Sequence, residues 1–262
     1  MVRLRGTALG FVLAFGCVYA GSSQALDPSG TTVAVVPAAN ASGESGERVL
    51  EVMGPVFMGD RVKTGPDGLA QIKFRDDTRL VVGANSLLTI DAFVFNDDDT
   101  ARKVTINAFR GAFRFITGKS QKQAYSIRTP TTTIGVRGTR FDFTVERDGA
   151  TSFALFEGVA RLCDASGVCK RIEGECAVAL VRPRGSVTDI PDGPERAERL
   201  ASLFPYVVSQ ARLHPEFRAD TSGCNIRHAT WTQQNDEYPT FSVTVAPSPA
   251  FALTPEGGGT AR

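Results

Sequence analysis

Histidine is almost missing from this sequence: His214 and His228 are the only two. Both fall in the C-terminal segment and neither sits in a nucleophile-and-base pattern, so each reads as an ordinary surface or packed residue. No catalytic residue is expected, and a hydrolase is disfavoured. An excess of either charge is missing too, since 29 Lys+Arg against 28 Asp+Glu leave +1. With no electrostatic footprint for it, nucleic acid is not an expected partner. Metal-ligand spacing is also wanting. The cysteines include no C-x-x-C and no histidine at zinc-ligand distance, and N-D-D-D-T from Asn96 to Thr100 lacks the alternating ligands and glycine of a calcium loop. That run reads as an acidic hairpin turn. Gly118-Lys119-Ser120 ends like a phosphate loop, but Phe113 stands where the upstream glycine belongs. Neither a metal nor a cofactor is expected.

Long apolar runs are scarce. After M-V-R-L-R, one extends from about Ala8 to Ala20, short of the roughly 20 residues that a spanning helix needs. It ends at Ser23-Gln24-Ala25, a small-x-small pattern suited to signal peptidase. Residues 1–25 are thus expected to be a signal peptide cleaved near Ala25, with no stable membrane insertion afterwards. A retained anchor is the alternative. A lipoprotein is disfavoured because bulky Phe15 precedes Cys17 where a smaller residue is usual. Setting Cys17 aside leaves Cys163, Cys169, Cys176 and Cys224, an even number suited to an oxidising compartment. Three pairings can be drawn. Cys163 and Cys169 flank D-A-S-G-V, a hairpin turn, so we pair them and leave Cys176 to Cys224. On the chain-entropy argument the short loop contributes about 2 kcal/mol and the long one about 4.

The chain does have aromatic mass, in 17 phenylalanines gathered mostly in its middle. They suggest a core of short strands filled by flat rings. Residues 26–47, rich in Gly, Ser, Ala and Thr with one Val-rich piece at Thr32 to Val36, read as a mostly flexible lead-in. From Arg48 the texture changes to short segments that alternate apolar and polar and end in Gly, Asp or Asn, the pattern of an all-β domain over 48–190. Lys103 to Phe109 and Ala112 to Ile116 read as two strands separated by Arg110-Gly111. Three pieces, M-G-P-V-F at 53–57, R-G-A-F-R at 110–114 and E-G-V-A-R at 157–161, each place glycine before a strand, about fifty residues apart. Stacked short strands follow, as a solenoid-like coil or a sandwich. Helical spacing appears once, within 191–238. Pro194 and Glu195 suit a helix start, Leu200, Leu203 and Phe204 share a face, and Pro205 interrupts, giving one kinked helix or two short ones. Residues 239–262 read as a flexible Pro/Gly-rich tail with one candidate strand at Phe241 to Val245.

One stretch fixes an unusual backbone: T-P-T-T-T-I-G-V-R-G-T-R-F, from Thr129 to Phe141. Pro130 locks its own φ and pushes Thr129 into an extended conformation. Gly135 and Gly138 bracket Val136 and Arg137, a strand interrupted where only glycine fits. The arginine between them reads as a rigid fork stapling a corner through local acceptors, with contact to an external ligand as the other reading.

With G-D-R-V-K-T (Gly59, Asp60 to Thr64), A-Q-I-K-F-x-D-D-T-R-L, Asn85-Ser86, R-G-A-F-R-F, the Thr129–Phe141 motif with Thr139, and F-E-G-V-A-R-L containing Glu157 and Gly158, the chain resembles the FecR domain over roughly 54–180. The resemblance implies an all-β periplasmic domain that binds other proteins; in iron-regulator members it relays a signal from an outer-membrane receptor to a cytoplasmic sigma factor. Only Met1 to Arg5 precede the apolar run here. Five residues cannot hold a sigma factor, so the sequence looks like a stand-alone exported form and direct anti-sigma activity is not expected. The function expected is a non-catalytic binding or scaffold module with an envelope protein as partner. The alternative is recognition of a cell-wall glycan or small ligand, for which Trp231 and Tyr238 are the nearby aromatic candidates.

Overall fold

The computed structural model describes residues 26–96, 98–120 and 124–226. Residues 1–25, His228, Trp231, Tyr238 and the tail from Pro239 lie outside them, along with the expectations placed on them.

Strand structure begins earlier than the composition predicts. Residues 26–47, read as a mostly flexible lead-in, hold β1 (Gly30–Val36), β2 (Ala39–Gly43) and the start of β3 (Gly46–Val49). The alternation is present but carried by methyl groups: Ala39 and Ala41 are buried while Asn40 and Ser42 are half-buried. Such a pattern has strand period without hydrophobic contrast. The chain continues through β4 (Pro55–Val56), β5 (Arg61–Thr64), β6 (Leu69–Phe74), β7 (Arg79–Val82), β8 (Leu87–Phe95) and β9 (Ala101–Ile116). Then come β10 (Tyr125–Arg128), β11 (Thr132–Val145), β12 (Thr151–Asp164), β13 (Cys169–Glu173), β14 (Ala177–Val181) and β15 (Val187–Ile190). Helices α1 (Pro194–Leu203) and α2 (Pro205–Val208) and a 3-10 turn at Pro215–Phe217 complete the series.

β9, β11 and β12 are long enough to serve two layers each. The first part of β9 pairs with β8 and, in parallel, with β10, while Gly111–Ile116 pairs with β7 and with the second half of β11. β12 pairs through Thr151–Leu155 with β14 and through Val159–Cys163 with β13, keeping β11 as its neighbour throughout. Two layers result within one hydrogen-bonded network. The first runs β15-β14-β12-β11-β9-β7-β6-β1-β4, and the second β13-β12-β11-β10-β9-β8-β5-β2-β3. This is a sandwich whose long strands cross between layers, so the solenoid alternative is set aside. Crossing also explains two misread boundaries. Residues 103–109 and 112–116 are one strand, because Gly111 at φ 108° bends β9 without ending its ladder. Gly158 likewise lies inside β12, and of the three glycine pieces only Gly54 stands immediately before a strand.

The core lies between the layers. Phe74, Phe113, Phe115, Phe141, Phe143 and Phe153 of the first layer are buried against Val62, Leu88, Ile90, Ile106, Ile127, Ile134 and Leu162 of the second. Their rings touch, with centroids 4.9 Å apart for Phe113–Phe143 and 5.1 Å for Phe141–Phe153. Each fully buried ring contributes about 1.5–3 kcal/mol.

The outer face of the first layer is covered by the C-terminal segment. Ala154, Val178 and Leu180 pack under Leu200, Phe204 and Val207, and Leu69 and Val81 pack under Tyr206, Leu213 and Phe217. Proline disfavours helical geometry in the residue before it; Phe204 has φ −119° and ψ 80°, and two short helices result. Beneath this strap lies a fully buried ion pair. Arg114 Nε and Nη2 reach the Asp142 carboxylate at 2.6 and 2.9 Å, and Nη2 also donates to the Tyr206 carbonyl at 3.2 Å. Nη1 donates to the Gln210 side-chain oxygen, and the guanidinium lies 5.2 and 5.5 Å from the rings of Phe156 and Tyr206. Burial pushes the Asp142 carboxyl up, opposed by the Arg114 charge. The disulfide Cys176–Cys224 joins the strap's end to the sheet, and Cys163–Cys169 bridges opposite residues of β12 and β13.

Candidate functional site

Most residues of the sequence motifs are held by their own loops and corners. Gly59, at φ 87°, turns the chain into β5 and donates its N–H to the Ile90 carbonyl at 2.7 Å. The buried Asp60 carboxylate accepts from the Phe57 N–H at 2.7 Å and from both terminal nitrogens of Arg48, whose guanidinium lies 5.0 Å from the Phe57 ring. The buried Thr64 hydroxyl donates to the Gly83 carbonyl and accepts from the Ser86 N–H at 2.9 Å. Gly118-Lys119-Ser120 closes another loop, in which the Ser120 and Tyr125 hydroxyls donate to Asp76 at 2.6 and 2.8 Å. Asp98 accepts from the Thr100 hydroxyl and N–H, and these bonds hold its carboxyl below the usual range. On the strap, His214 Nδ1 lies 3.5 Å from Glu216.

The Thr129–Phe141 motif separates into three parts. Thr129 Oγ1 accepts the Thr132 N–H at 3.1 Å and meets the Thr151 hydroxyl at 2.8 Å, with Pro130 exposed at the tip of the turn joining β10 to β11. Phe141 is fully buried in the core. Between them, β11 and β12 change layer where Gly138 (φ 58°) meets Gly158 (φ 89°). A Cβ on Gly158 would fall 2.0 Å from the Gly138 oxygen, so close backbone approach demands glycine there. Thr139 is buried and its N–H donates to Thr117 Oγ1 at 2.8 Å, while exposed Glu157 pairs with Arg140 at 3.0 Å.

Arg137 does not staple this corner. Strand alternation turns Ile134 and Val136 into the core and places Gly135 and Arg137 on the outer face of the second layer. Arg137 is exposed there and, among the described residues, makes no side-chain hydrogen bond or ion pair.

That outer face is the candidate site. Register places Arg171, Arg161, Gly135, Ser126 and Thr105 in one row across β13, β12, β11, β10 and β9, with Arg137 opposite Val159 in the next row. Around Gly135 lies a groove of about 490 Å³ lined by Arg137, Val159, Arg161, Cys169 and Arg171. A second hollow, of about 560 Å³, opens toward the other end of the face beside Asn40, Ser42, Arg61, Lys63 and Arg110. Phe109, 46% exposed, stands next to it with the Arg61 guanidinium 5.8 Å from its ring. Lys103 and Arg128 add to the basic residues, and the acidic side chains on the face are fewer: Glu47, Asp91 and Glu173. Although Thr105 in its central row is itself buried, neither of the hydrophobic clusters under the strap extends to this face. Composition concealed it, because a net charge of +1 says nothing of segregation; the strand register is the signal that reveals it.

Fold and surface together define a β-sandwich with one covered and one open, basic face. Among the described residues no helix is long and apolar enough to cross a membrane, and both disulfides suit an exported protein. Residues 60–161 match the sequence family described as FecR protein, a span that contains Asp60, Thr64, the whole Thr129–Phe141 motif and Glu157–Arg161. No curated protein matches the chain. Similar solved structures include two crystal structures, at 1.65 and 2.50 Å, of a protein from Parabacteroides distasonis ATCC 8503 provisionally described as an anti-sigma factor. They are 13% and 12% identical over 52% and 54% of this chain, with TM-scores of 0.42 and 0.40. The likeness spans 61% and 63% of their lengths, less than two thirds.

Proposed function

We propose that this chain is a non-catalytic FecR-type binding module that acts in the bacterial envelope through protein contacts on the open face of its second layer. The asymmetry of the sandwich carries this reading. Apolar residues of the first layer's outer face are sealed by the strap and a disulfide, so that face is spent on folding. The other outer face is polar, basic and hollowed at two places, which is how a sheet presents a recognition surface rather than a second core. The FecR match over 60–161 supports a signalling role with a protein partner. Export through a signal peptide ending near Ala25, and a periplasmic location, belong to the same proposal and rest on the leader pattern and the paired cysteines.

A photo-crosslinking residue placed in intact cells at Asn107 or Thr89 on the open face, and at Glu198 on α1 as control, tests it. The expected result is one dominant protein adduct from positions 107 and 89 and none from 198. Equal adducts from both faces, or adducts from 198 alone, contradict the reading.

A further inference from the structure

Resting on that reading, we infer that the groove around Gly135 is the docking site for an extended, acidic segment of the partner protein, with Arg137 and Arg161 as the carboxylate-binding forks. Arg161 lies directly across from Gly135 and from Arg171, and Arg137 is two residues along β11, so three guanidinium groups ring one floor. Neither Arg137 nor Arg161 makes a side-chain hydrogen bond or ion pair among the described residues, whereas Arg171 pairs with Glu173 at 2.7 Å. Two unpaired planar forks on one rigid sheet are pre-organised for bidentate carboxylate binding.

Gly135 supplies the second, independent observation. Unlike Gly138 and Gly158 it has no positive φ, and a Cβ built on it would meet nothing closer than the Arg161 carbonyl oxygen at 3.9 Å. The fold does not demand glycine there. Its effect is to leave the floor of the groove bare between the arginines, where any side chain would stand in the way of a bound chain. The walls are mixed: Val159 and Cys169, which belongs to a disulfide, flank the arginines with apolar surface. An extended partner with a carboxylate at every second residue turns all of them toward the forks, since alternate residues point the same way, and its intervening apolar side chains point to the other side, where they meet a wall and not the floor. A polyphosphate or lipid-phosphate ligand would use the charges but leave the apolar walls idle.

The test uses the purified full chain and a fluorescein-labelled peptide of about eight alternating Glu and Val residues, with the Gln-Val peptide as neutral control and inorganic polyphosphate as competitor. Anisotropy is expected to show Glu-Val binding that weakens by about tenfold or more between about 50 and about 300 mM salt, with at least tenfold weaker Gln-Val binding. Arg137→Gln with Arg161→Gln should reduce Glu-Val affinity by about tenfold to a hundredfold at unchanged melting temperature. Gly135→Leu, which the backbone tolerates, should do the same by filling the floor, while Arg61→Gln with Lys63→Gln at the far hollow should leave binding within about twofold. Equal binding of the Gln-Val peptide, or Glu-Val affinity unmoved by either groove variant, overturns the inference. So does polyphosphate that binds more tightly than the peptide and loses that binding in the same variants. Should the crosslinks from Asn107 and Thr89 persist while the peptide fails to bind, the groove assignment alone falls and the binding-module reading stands.

Discussion

The three glycines of the two corner motifs should respond differently to one added methyl group, and the differences follow from the backbone. Gly158→Ala combines two penalties. An L-residue at φ 89° costs about 1–2 kcal/mol. The new Cβ would also sit 2.0 Å from the Gly138 oxygen, 2.8 Å from its carbonyl carbon and 2.9 Å from Thr139 Cγ2, all parts of the crossing strand. Relief requires β11 and β12 to part by more than 1 Å where they change layer, loosening the ladder on either side, for a total of about 3–5 kcal/mol. Gly138→Ala carries only the positive φ of 58°, with nothing within 4 Å of the new atom, and should cost about 1 kcal/mol. Gly135→Ala carries neither penalty, and its change should stay within about 1 kcal/mol, in the stabilising direction if the unfolded chain's lost freedom dominates. Urea unfolding followed by circular dichroism reads all three. Gly158→Ala should lower the midpoint by about 1 M or more, and Gly135→Ala should leave it near the original value. If Gly135→Ala destabilised as much as Gly158→Ala, or if Gly158→Ala melted with the parent, the layer-crossing account of the motif would be refuted.

Other perturbations follow from the same structure. Asp142→Asn strands the buried Arg114 charge beneath the strap and should cost about 3–5 kcal/mol, whereas Arg114→Met combined with Asp142→Leu should cost much less; a double-mutant cycle in urea checks the coupling. Removing the Cys176–Cys224 bridge, which closes a 48-residue separation, should lower stability by about 2–4 kcal/mol and speed hydrogen exchange at Ala219 and Leu213 before the core amides of β9 and β11. Acid should weaken the fold. Asp98 and Asp164 are held low by hydroxyls of Thr100 and Ser166, Asp220 by the Ser222 N–H, and in Glu216 the bonds and charges of Lys73 and Arg79 outweigh the opposing effect of burial. Lowered folded-state values mean stability that is present above about pH 4–5 and lost as pH falls through them. Asp142, pushed up by burial, acts in the opposite sense and adds stability as pH falls through it. In the Arg114→Met, Asp142→Leu variant, which lacks that group, the urea midpoint should therefore drop between about pH 6 and about pH 3; a flat or rising midpoint there contradicts these assignments.

Strand class and the break at Pro205 were legible because both rest on local chemistry, the two-residue alternation of large apolar side chains and the missing N–H of proline. Strand β1 escaped because its buried positions are Gly30 and Thr32 while its valines are only half-buried, β2 because Ala39 and Ala41 bury so little surface that alternation does not show in composition, and β3 because none of its residues is buried. The continuity of β9 and β12 escaped for the opposite reason. Gly111 and Gly158 look like strand ends in sequence, but only the pairing of both halves shows that the ladder bends and continues. Arg137 between two glycines suggested an internal staple; alternation from the buried Ile134 and Val136 turns it outward instead. The groove itself could not be read from the sequence, because Gly135, Arg161 and Arg171 meet through register between β11, β12 and β13, residues up to 36 apart in the chain.

Hydroxyl-radical footprinting of the chain in intact cells against the purified chain tests the central claim most directly. Phe109 and Val94 report on the open face, and Val208, 53% exposed, reports on the strapped side. Binding through the second layer should slow oxidation of Phe109 and Val94 in cells and leave Val208 unchanged. Protection confined to Val208, with Phe109 and Val94 oxidised as fast as in the purified chain, would place the partner on the opposite side and contradict the account.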